Sequence, residues 1–325
     1  MINKVDPQNQ IRLNKEIVSK LVSPYGLDLI SFEEVASAGV KNTSAFLNTN
    51  RGRFVLKVYR RNNKKLREIS QEILFANFLR EHGIPIPQTL SNPKGEFVCQ
   101  KKIDNLTWTY ILMEFVEGEY LEHDQYDLMP LMAKYQALMH GVTHVFKMTG
   151  KVRTLADEIN DFVRYDRNAE EFLKENHYYP RIRELISSTI LYLRNNFNEI
   201  RHLPSGLVHM DYESDNILVD KKKITAILDF DDLSYHPFVA DIGISLWWWL
   251  FMNRDKDCKS LIVKYLKEYQ KYRKLSAEEI GFLPLFIQMR NINVLMYDLS
   301  SKRSKKEWKE LLDFSEVLTM IKTLV

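Results

Sequence analysis

The segment "LVHMDYESDNILV", residues 207–219, sets a histidine, an isolated aspartate and an asparagine between apolar runs. It continues into "DKKKITAILDF", residues 220–230, and the two β-branched runs around the lysine-rich turn read as a β-hairpin. Pairing "NILVD" with "TAILD" across a turn at 221–224 sets Val219 opposite Ala226 and Asn216 opposite Asp229. Facing residues of an antiparallel pair hold their Cα atoms about 4.5–5.5 Å apart, so an amide oxygen and a carboxylate emerge together at the open end of an apolar hairpin. That donor set suits Mg2+, a hard cation that takes oxygen ligands and only one or two carboxylates. Asp211 precedes the hairpin by a short loop and can look into the same space. Asn216 or Asp229 alone would be an ordinary strand-terminating residue. The facing pair, with Asp211 nearby, points to a metal site.

The hairpin sits between two stretches of different character. Upstream, a helix expected over 8–22, with Leu13, Ile17, Val18 and Leu21 at helical spacing, stops at "SPYG". Short β-branched and aromatic runs follow: "DLISFEEVA", "SAFLN", "RFVLKVY", "EFVCQ" and "WTYILMEF". One helix, over 64–82, interrupts them and ends at His82, Gly83, Pro85 and Pro87. After "EFVEGEY" the pattern is mostly helical, over 125–200 and 241–325. The expectation is an α+β chain with a small β-rich lobe and one main helix over 1–116, and a larger helical lobe over 117–325. A hinge is expected near 114–118.

Bulk properties exclude several classes. A formal net charge of +3 over 325 residues is too small to argue for nucleic acid. Cys99 and Cys258 form no motif and read as free thiols of a reducing cytoplasm. The polar start "MINKVDPQNQ" has no signal-peptide core, and "ISLWWWLFM" (244–252) is too short to span a bilayer. A cytoplasmic protein without a membrane or nucleic-acid partner is expected, its oligomeric state open.

Two charges sit where apolar residues belong. Lys57 lies mid-strand in "RFVLKVY", on the side of Val55 and Tyr59, and Glu72 shares a helical stripe with Phe75, Ala76 and Leu79. A buried ammonium needs a partner, as does a buried carboxylate, so a Lys57–Glu72 pair between strand and helix is expected. The alternative is a lysine that snorkels to water. Between two strands, "SAGVKNTSAF" (37–46) offers Gly39 and Asn42 for a turn whose backbone N–H groups could face a phosphate, or for a plain hairpin turn.

In this order the segments resemble the aminoglycoside phosphotransferase and choline kinase family, small-molecule relatives of protein kinases. The resemblance runs from about Glu34 to about Trp249. It rests on "SAGVKNTSAF", "FVLKVY", "EILFANFLREHGIPIPQTL", "YILMEFVEG", "HMDYESDNIL", "AILDFDD" and "HPFVADIGISL". It implies a bilobal protein-kinase-like fold and transfer of the γ-phosphoryl of ATP to a hydroxyl of a small molecule, with Mg2+. GTP in place of ATP stays open. By resemblance, Lys57 would hold the α- and β-phosphates with Glu72 orienting it, and Glu114, Phe115 and Val116 would meet the adenine. Asn216 and Asp229 would bind Mg2+, and Asp211 would accept the proton of the acceptor hydroxyl. His209, His140 and Asp241 would be structural supports. The chain departs from the family at Met210, where glycine is frequent, and at Tyr212, where an apolar residue is common.

An atypical Ser/Thr protein kinase on the same fold is the rival reading. Only 12 positions separate Asp229 from Asp241, and no A-P-E follows, so the long activation segment of protein kinases is missing. A catalytically dead binding module would have lost one of the base, metal or lysine positions, and all are present. For the acceptor, Asp231, Asp232, Glu213 and Asp215 suggest an acidic rim that would favour a cationic amino alcohol, amino acid or aminosugar. Ordinary solvated loop carboxylates are the alternative. The "WWW" of 247–249 cannot line one box, because successive helical residues point about 100° apart. Core packing is expected for these rings, with Trp248 or Trp249 as candidates to reach an acceptor.

Overall fold

The computed structural model describes residues 12–35, 42–59, 64–173, 178–301 and 305–321. Two compact units are distinguished. The first contains Met1–Glu119, Phe146–Lys151 and Thr225–Asp231; the second contains Tyr120–Val145, Val152–Ile224 and Asp232–Val325.

In the first unit, helix α1 (Lys15–Val22) starts where Asn14 Oδ1 accepts the Ile17 N–H at 2.8 Å, later than the expected start at 8; residues 8–11 lie outside the described residues. Strands β1 (Leu29–Val35), β2 (Asn42–Thr49), β3 (Gly52–Tyr59), β4 (Thr89–Leu90), β5 (Cys99–Ile103) and β6 (Leu106–Glu114) form one sheet of order β1-β2-β3-β6-β4, with β5 also on β6. The pairings between β1, β2, β3 and β6 are antiparallel. Strand β3 is interior, so Lys57 sits opposite Ser44 on one side and Ile111 on the other. Its neighbours Leu56 and Val58 are fully buried. Helix α2 (Leu66–Glu81) buries Ile69, Glu72, Ile73, Phe75, Ala76 and Leu79, the stripe read from the sequence. Strand β5 begins at Cys99, three residues after the start of the expected "EFVCQ". Asn92 and Glu96 close a turn there, Asn92 N–H donating to the Glu96 carbonyl at 2.9 Å.

The single cut expected near residue 116 misses two later segments that fold with the first unit. Phe146 packs on Phe75 and Phe78 with ring centroids 5.1 and 5.3 Å away, and Phe230 lies 6.2 Å from Phe75. The Ile227 N–H donates to the Pro85 carbonyl at 2.7 Å. Aromatic burial and one backbone bond thus bring Asp229 and Asp231 onto the β-rich unit.

The second unit is largely helical. It contains α3 (Met129–Val142), α4 (Leu155–Leu173), α5 (Tyr179–Asn195), α6 (Phe197–Ile200), α7 (Phe238–Met252), α8 (Cys258–Tyr269), α9 (Ala277–Ser301) and α10 (Lys305–Ile321). Short strands complete it: β7 (Glu119–Tyr120) beside β10 (Ile217–Asp220), itself beside β11 (Lys223–Ile227), and β8 (Arg153–Thr154)-β12 (Ser234–Pro237)-β9 (Ser205–Val208). The expected hairpin is therefore β10–β11, turned at Lys221 with φ 55°, and the division between units falls within β11. Strand β12, with proline at its end, was not expected; it forms because β9 offers an antiparallel partner from Ser205 to Val208.

Helix α7 is buried from Phe238 to Leu250, apolar on every face, as suits a helix enclosed by others. It packs closely on α9 at Gly243. A Cβ there would lie 2.8 Å from Phe286 Cβ and 3.1 Å from the Ile287 backbone nitrogen. Gly243→Ala is expected to lower unfolding stability by about 1–3 kcal/mol despite alanine's better helix propensity, because backbone must move. Urea titration of the two proteins checks this; an equal or higher midpoint for the variant would contradict the close approach.

Candidate active site

The loop after β9 carries the histidine, aspartate and asparagine of the opening segment. His209 is buried, and its Nδ1 accepts the Asp211 N–H at 3.3 Å. Met210 adopts φ 61°, the left-handed region that favours glycine. The Met210 N–H donates to Asp241 Oδ1 at 2.7 Å, so the first turn of α7 pins this strained residue. The other oxygen of Asp241 meets His140 Nε2 at 3.0 Å and Gln136 Nε2 at 2.8 Å. His140 Nδ1 lies 2.7 Å from the Tyr269 hydroxyl, and the Tyr265 hydroxyl donates to Gln136 Oε1 at 2.8 Å. Burial disfavours the Asp241 charge, but the His140 hydrogen bond, the neighbouring His140 and His209 and the Met210 N–H together outweigh it and lower the carboxyl below its usual range. Tyr212 is fully buried where an apolar residue is common. Its extra hydroxyl is satisfied by the Met132 carbonyl at 3.1 Å.

Asp211 is held at both oxygens. Asn216 Nδ2 donates to its Oδ2 at 2.9 Å and to its carbonyl at 2.8 Å, which leaves the Asn216 amide oxygen as the group able to ligate a cation. Arg290 Nη2, from α9, donates to Asp211 Oδ1 at 2.7 Å and also bonds Glu213 Oε1. The Asp211 side chain remains 30% exposed, within reach of a small molecule. Burial pushes the Glu213 carboxyl up to about 7 against the pull of Arg290. Burial likewise opposes the Arg290 charge, yet Glu213 and Asp211 raise its pKa further above the usual guanidinium value.

In the first unit, Lys57 Nζ lies 3.0 Å from Asp229 Oδ1 and 2.9 Å from Asp231 Oδ2. Burial disfavours its charge, but these two carboxylates hold the ammonium well above its ordinary pKa. Asp229 has φ 57°, and its Oδ1 also accepts the Asp231 N–H at 3.1 Å. The expected Lys57–Glu72 pair is not formed. Glu72 Oε1 instead takes Lys64, eight residues earlier and just before α2, and Lys64 also reaches the Asp231 carbonyl. Glu72 Oε2 is buried without a partner among the described residues, and burial raises the carboxyl to about 7 against Lys64. The Asp229–Asp231 segment, folded with this unit, reaches Lys57 first.

The remaining expected residues are distributed as follows. Gly39 lies outside the described residues, whereas Asn42 starts β2 and donates to Asp231 Oδ2. Glu114 ends β6 and its carboxylate accepts the Gln88 N–H at 2.8 Å. Phe115 packs edge-on against Phe46 with centroids 5.3 Å apart and carries the Arg53 guanidinium 3.6 Å from its ring centre. Val116 is half-buried. Of the four carboxylates expected at an acidic rim, Glu213 is engaged by Arg290 and Asp231 by Lys57 and Asn42, whereas Asp232 is half-buried and Asp215, which accepts the Ser214 hydroxyl at 3.1 Å, is exposed. All three tryptophans are core. Trp247, not Trp248 or Trp249, lies beside Arg290, its ring centre 5.7 Å from the guanidinium carbon. Arg290 and Lys64 were missed in the sequence. Arg290 had the same signal that exposed Lys57, a lone charge inside an apolar run, "FLPLFIQMRNINVLM".

Comparison with known proteins places the chain in a family. The chain belongs to the phosphotransferase enzyme family (APH), which it matches over residues 33–277, and is by class a kinase. It is 25% identical to the homoserine kinase of Sinorhizobium fredii, over 79% of this chain and 75% of that one. Its fold is that of the microcompartment-associated aminopropanol kinase (TM-score 0.76, 18% identity, 95% of this chain and 97% of that one). It is also that of an amicoumacin kinase in complex with AMP-PNP and Ca2+ (TM-score 0.75, 18% identity, 94% and 93%). The architecture is therefore the α+β fold of protein-kinase-like phosphotransferases. No helix among the described residues is long and apolar enough to cross a membrane.

Burial also gives the second unit an acid sensitivity. His236 is fully buried on β12, its Nδ1 3.5 Å from Glu158 Oε2, and burial lowers its pKa, as it does that of His140. A histidine depressed in the folded state refuses protons that the unfolded chain accepts below pH about 6.5, so its contribution is full above that pH and lost as pH falls. Glu72 and Glu213, raised to about 7, act in the opposite sense between their unfolded values and 7. A difference measurement isolates the histidine. His236→Leu should flatten the loss of unfolding free energy between pH 7.5 and 5.5 by up to about 1.4 kcal/mol relative to wild type. Identical pH slopes in urea titrations would contradict the assignment.

Proposed function

We propose that the protein is an ATP-dependent small-molecule kinase that moves the γ-phosphoryl group to a hydroxyl. The observation that carries this reading is Asp211, a partly exposed carboxylate fixed at both oxygens by Asn216 and Arg290 on a loop pinned by a buried aspartate. A fixed carboxylate is the form a proton acceptor takes when catalysis rests on positioning. The acceptor oxygen attacks the γ-phosphorus, its proton passes to Asp211, and the bond to the β-phosphate oxygen breaks to release ADP. Lys57, a buried cation kept charged by two carboxylates, is suited to the α- and β-phosphates. The Asn216 amide oxygen and the partly exposed Asp229 carboxylate are the oxygen donors suited to Mg2+. That ion, when bound, would neutralise charge on the phosphates. Glu114, Phe115 and Val116 are assigned to the nucleotide base.

The acceptor is a small molecule bearing a hydroxyl. The homoserine, aminopropanol and amicoumacin kinases that the chain resembles are each named for a small-molecule substrate. Nucleotide consumption by the purified protein, with Mg2+ and a panel of homoserine, amino alcohols, sugars and aminoglycosides, tests the reading, with a generic protein substrate as control. Stimulation by a small hydroxyl compound is expected, and stimulation by the protein alone would overturn it. Asp211→Ala should lower turnover about 100-fold or more while nucleotide affinity, read by calorimetry, stays nearly unchanged.

A further inference from the structure

We propose that Arg290 is a positioning residue for Asp211, the cation that aims the proton-accepting carboxylate from helix α9. This role rests on the kinase reading above. The family match ends at residue 277, and Arg290 lies thirteen residues beyond it, within α9. Nothing in the loop itself supplies a cation, because "HMDYESDN" places a second carboxylate, Glu213, two residues after Asp211. Two neighbouring carboxylates repel, and without a counter-ion one would turn away or take up a proton.

Arg290 resolves this with one group. Its Nη2 bonds Asp211 Oδ1 at 2.7 Å and Glu213 Oε1 as well, while Asn216 fixes the other oxygen of Asp211. The carboxylate plane of Asp211 is thereby set from two sides, by a helix on one and by its own loop on the other. The Arg290 side chain is 16% exposed, with the Trp247 ring centre 5.7 Å from its guanidinium carbon. Stability alone does not account for the arrangement. Arg290 Nε and Glu213 Oε2 are both buried without partners among the described residues. A buried ion pair with unsatisfied atoms is commonly no more stable than apolar side chains of the same volume. What the pair does provide is a fixed orientation for Asp211.

The placement of Arg290 is itself mechanical. Phe286 and Ile287, one turn earlier on α9, are the residues that touch α7 at Gly243. Two residues before that glycine, Asp241 holds the Met210 N–H. Helix α7 therefore sets both the loop that bears Asp211 and the helix that bears its cation.

Steady-state kinetics of Arg290→Ala and Arg290→Lys with the acceptor found in the panel test the role. Arg290→Ala should lower kcat about 100-fold with KM for ATP changed by no more than about twofold, and added guanidinium should restore about tenfold of the loss. Arg290→Lys, which keeps the charge on a differently shaped side chain, should fall between wild type and alanine. If the alanine variant does not fold, Arg290→Gln, which fills the space without the charge, decides: a kcat equal to wild type overturns the proposal. So does an alanine variant with near-wild-type kcat, or one whose kcat and nucleotide affinity fall together without rescue. A wild-type protein inactive with every acceptor would sink the kinase reading and this role with it. An active wild type with an indifferent Arg290 sinks this role alone.

Discussion

A single carboxylate, Asp241, carries the organisation of the second unit. It is fully buried, and its oxygens are divided between the Met210 N–H on one side and His140 with Gln136 on the other. A buried charge survives only when its partners are in place, and removing one partner of such a pair typically costs about 3–5 kcal/mol. The network therefore fixes α3, α7 and the loop together. It also offsets the left-handed backbone of Met210, a conformation that costs a side-chain-bearing residue about 1–2 kcal/mol. The tyrosines of α8 satisfy the outer atoms of the network, Tyr265 on Gln136 and Tyr269 on His140.

The two charge clusters share one design. In each unit, two aspartate or glutamate residues two positions apart are bridged by one mostly buried cation from a distant element. Lys57 of β3 bridges Asp229 and Asp231, and Arg290 of α9 bridges Asp211 and Glu213. The choice of cation follows the geometry. Lysine is a point charge and meets two carboxylates that also have backbone and amide partners, whereas the planar guanidinium sits across a pair that has few other donors. Both clusters leave each cation with more anionic than cationic neighbours.

Legibility in the sequence followed range. Glu72 on the buried stripe of α2, Lys57 inside β3 and the hairpin after Asn216 were all set by local periodicity, and each lies where that periodicity put it. Partner choice was not local. Lys57 and Glu72 were each recognised as needing a partner, but the pairing chosen from two lone charges was wrong, because two further carboxylates arrive from residues 229 and 231. Two carboxylates of the expected acidic rim, Asp231 and Glu213, are likewise met by cations that arrive from across the fold.

The sequence by itself determined which charged and polar residues stand among apolar ones and on what kind of element each rides, since strand and helix periods and turn residues act over a few positions. Only the tertiary structure decided who neutralises whom. The separations of 172 positions from Lys57 to Asp229, and of 79 from Asp211 to Arg290, are closed by aromatic packing of Phe75, Phe146 and Phe230 and by the α7–α9 contact at Gly243. Coulomb attraction is steep in distance and weakly screened where water is excluded, so the partner is whichever charge the packed core delivers, and no local pattern encodes that.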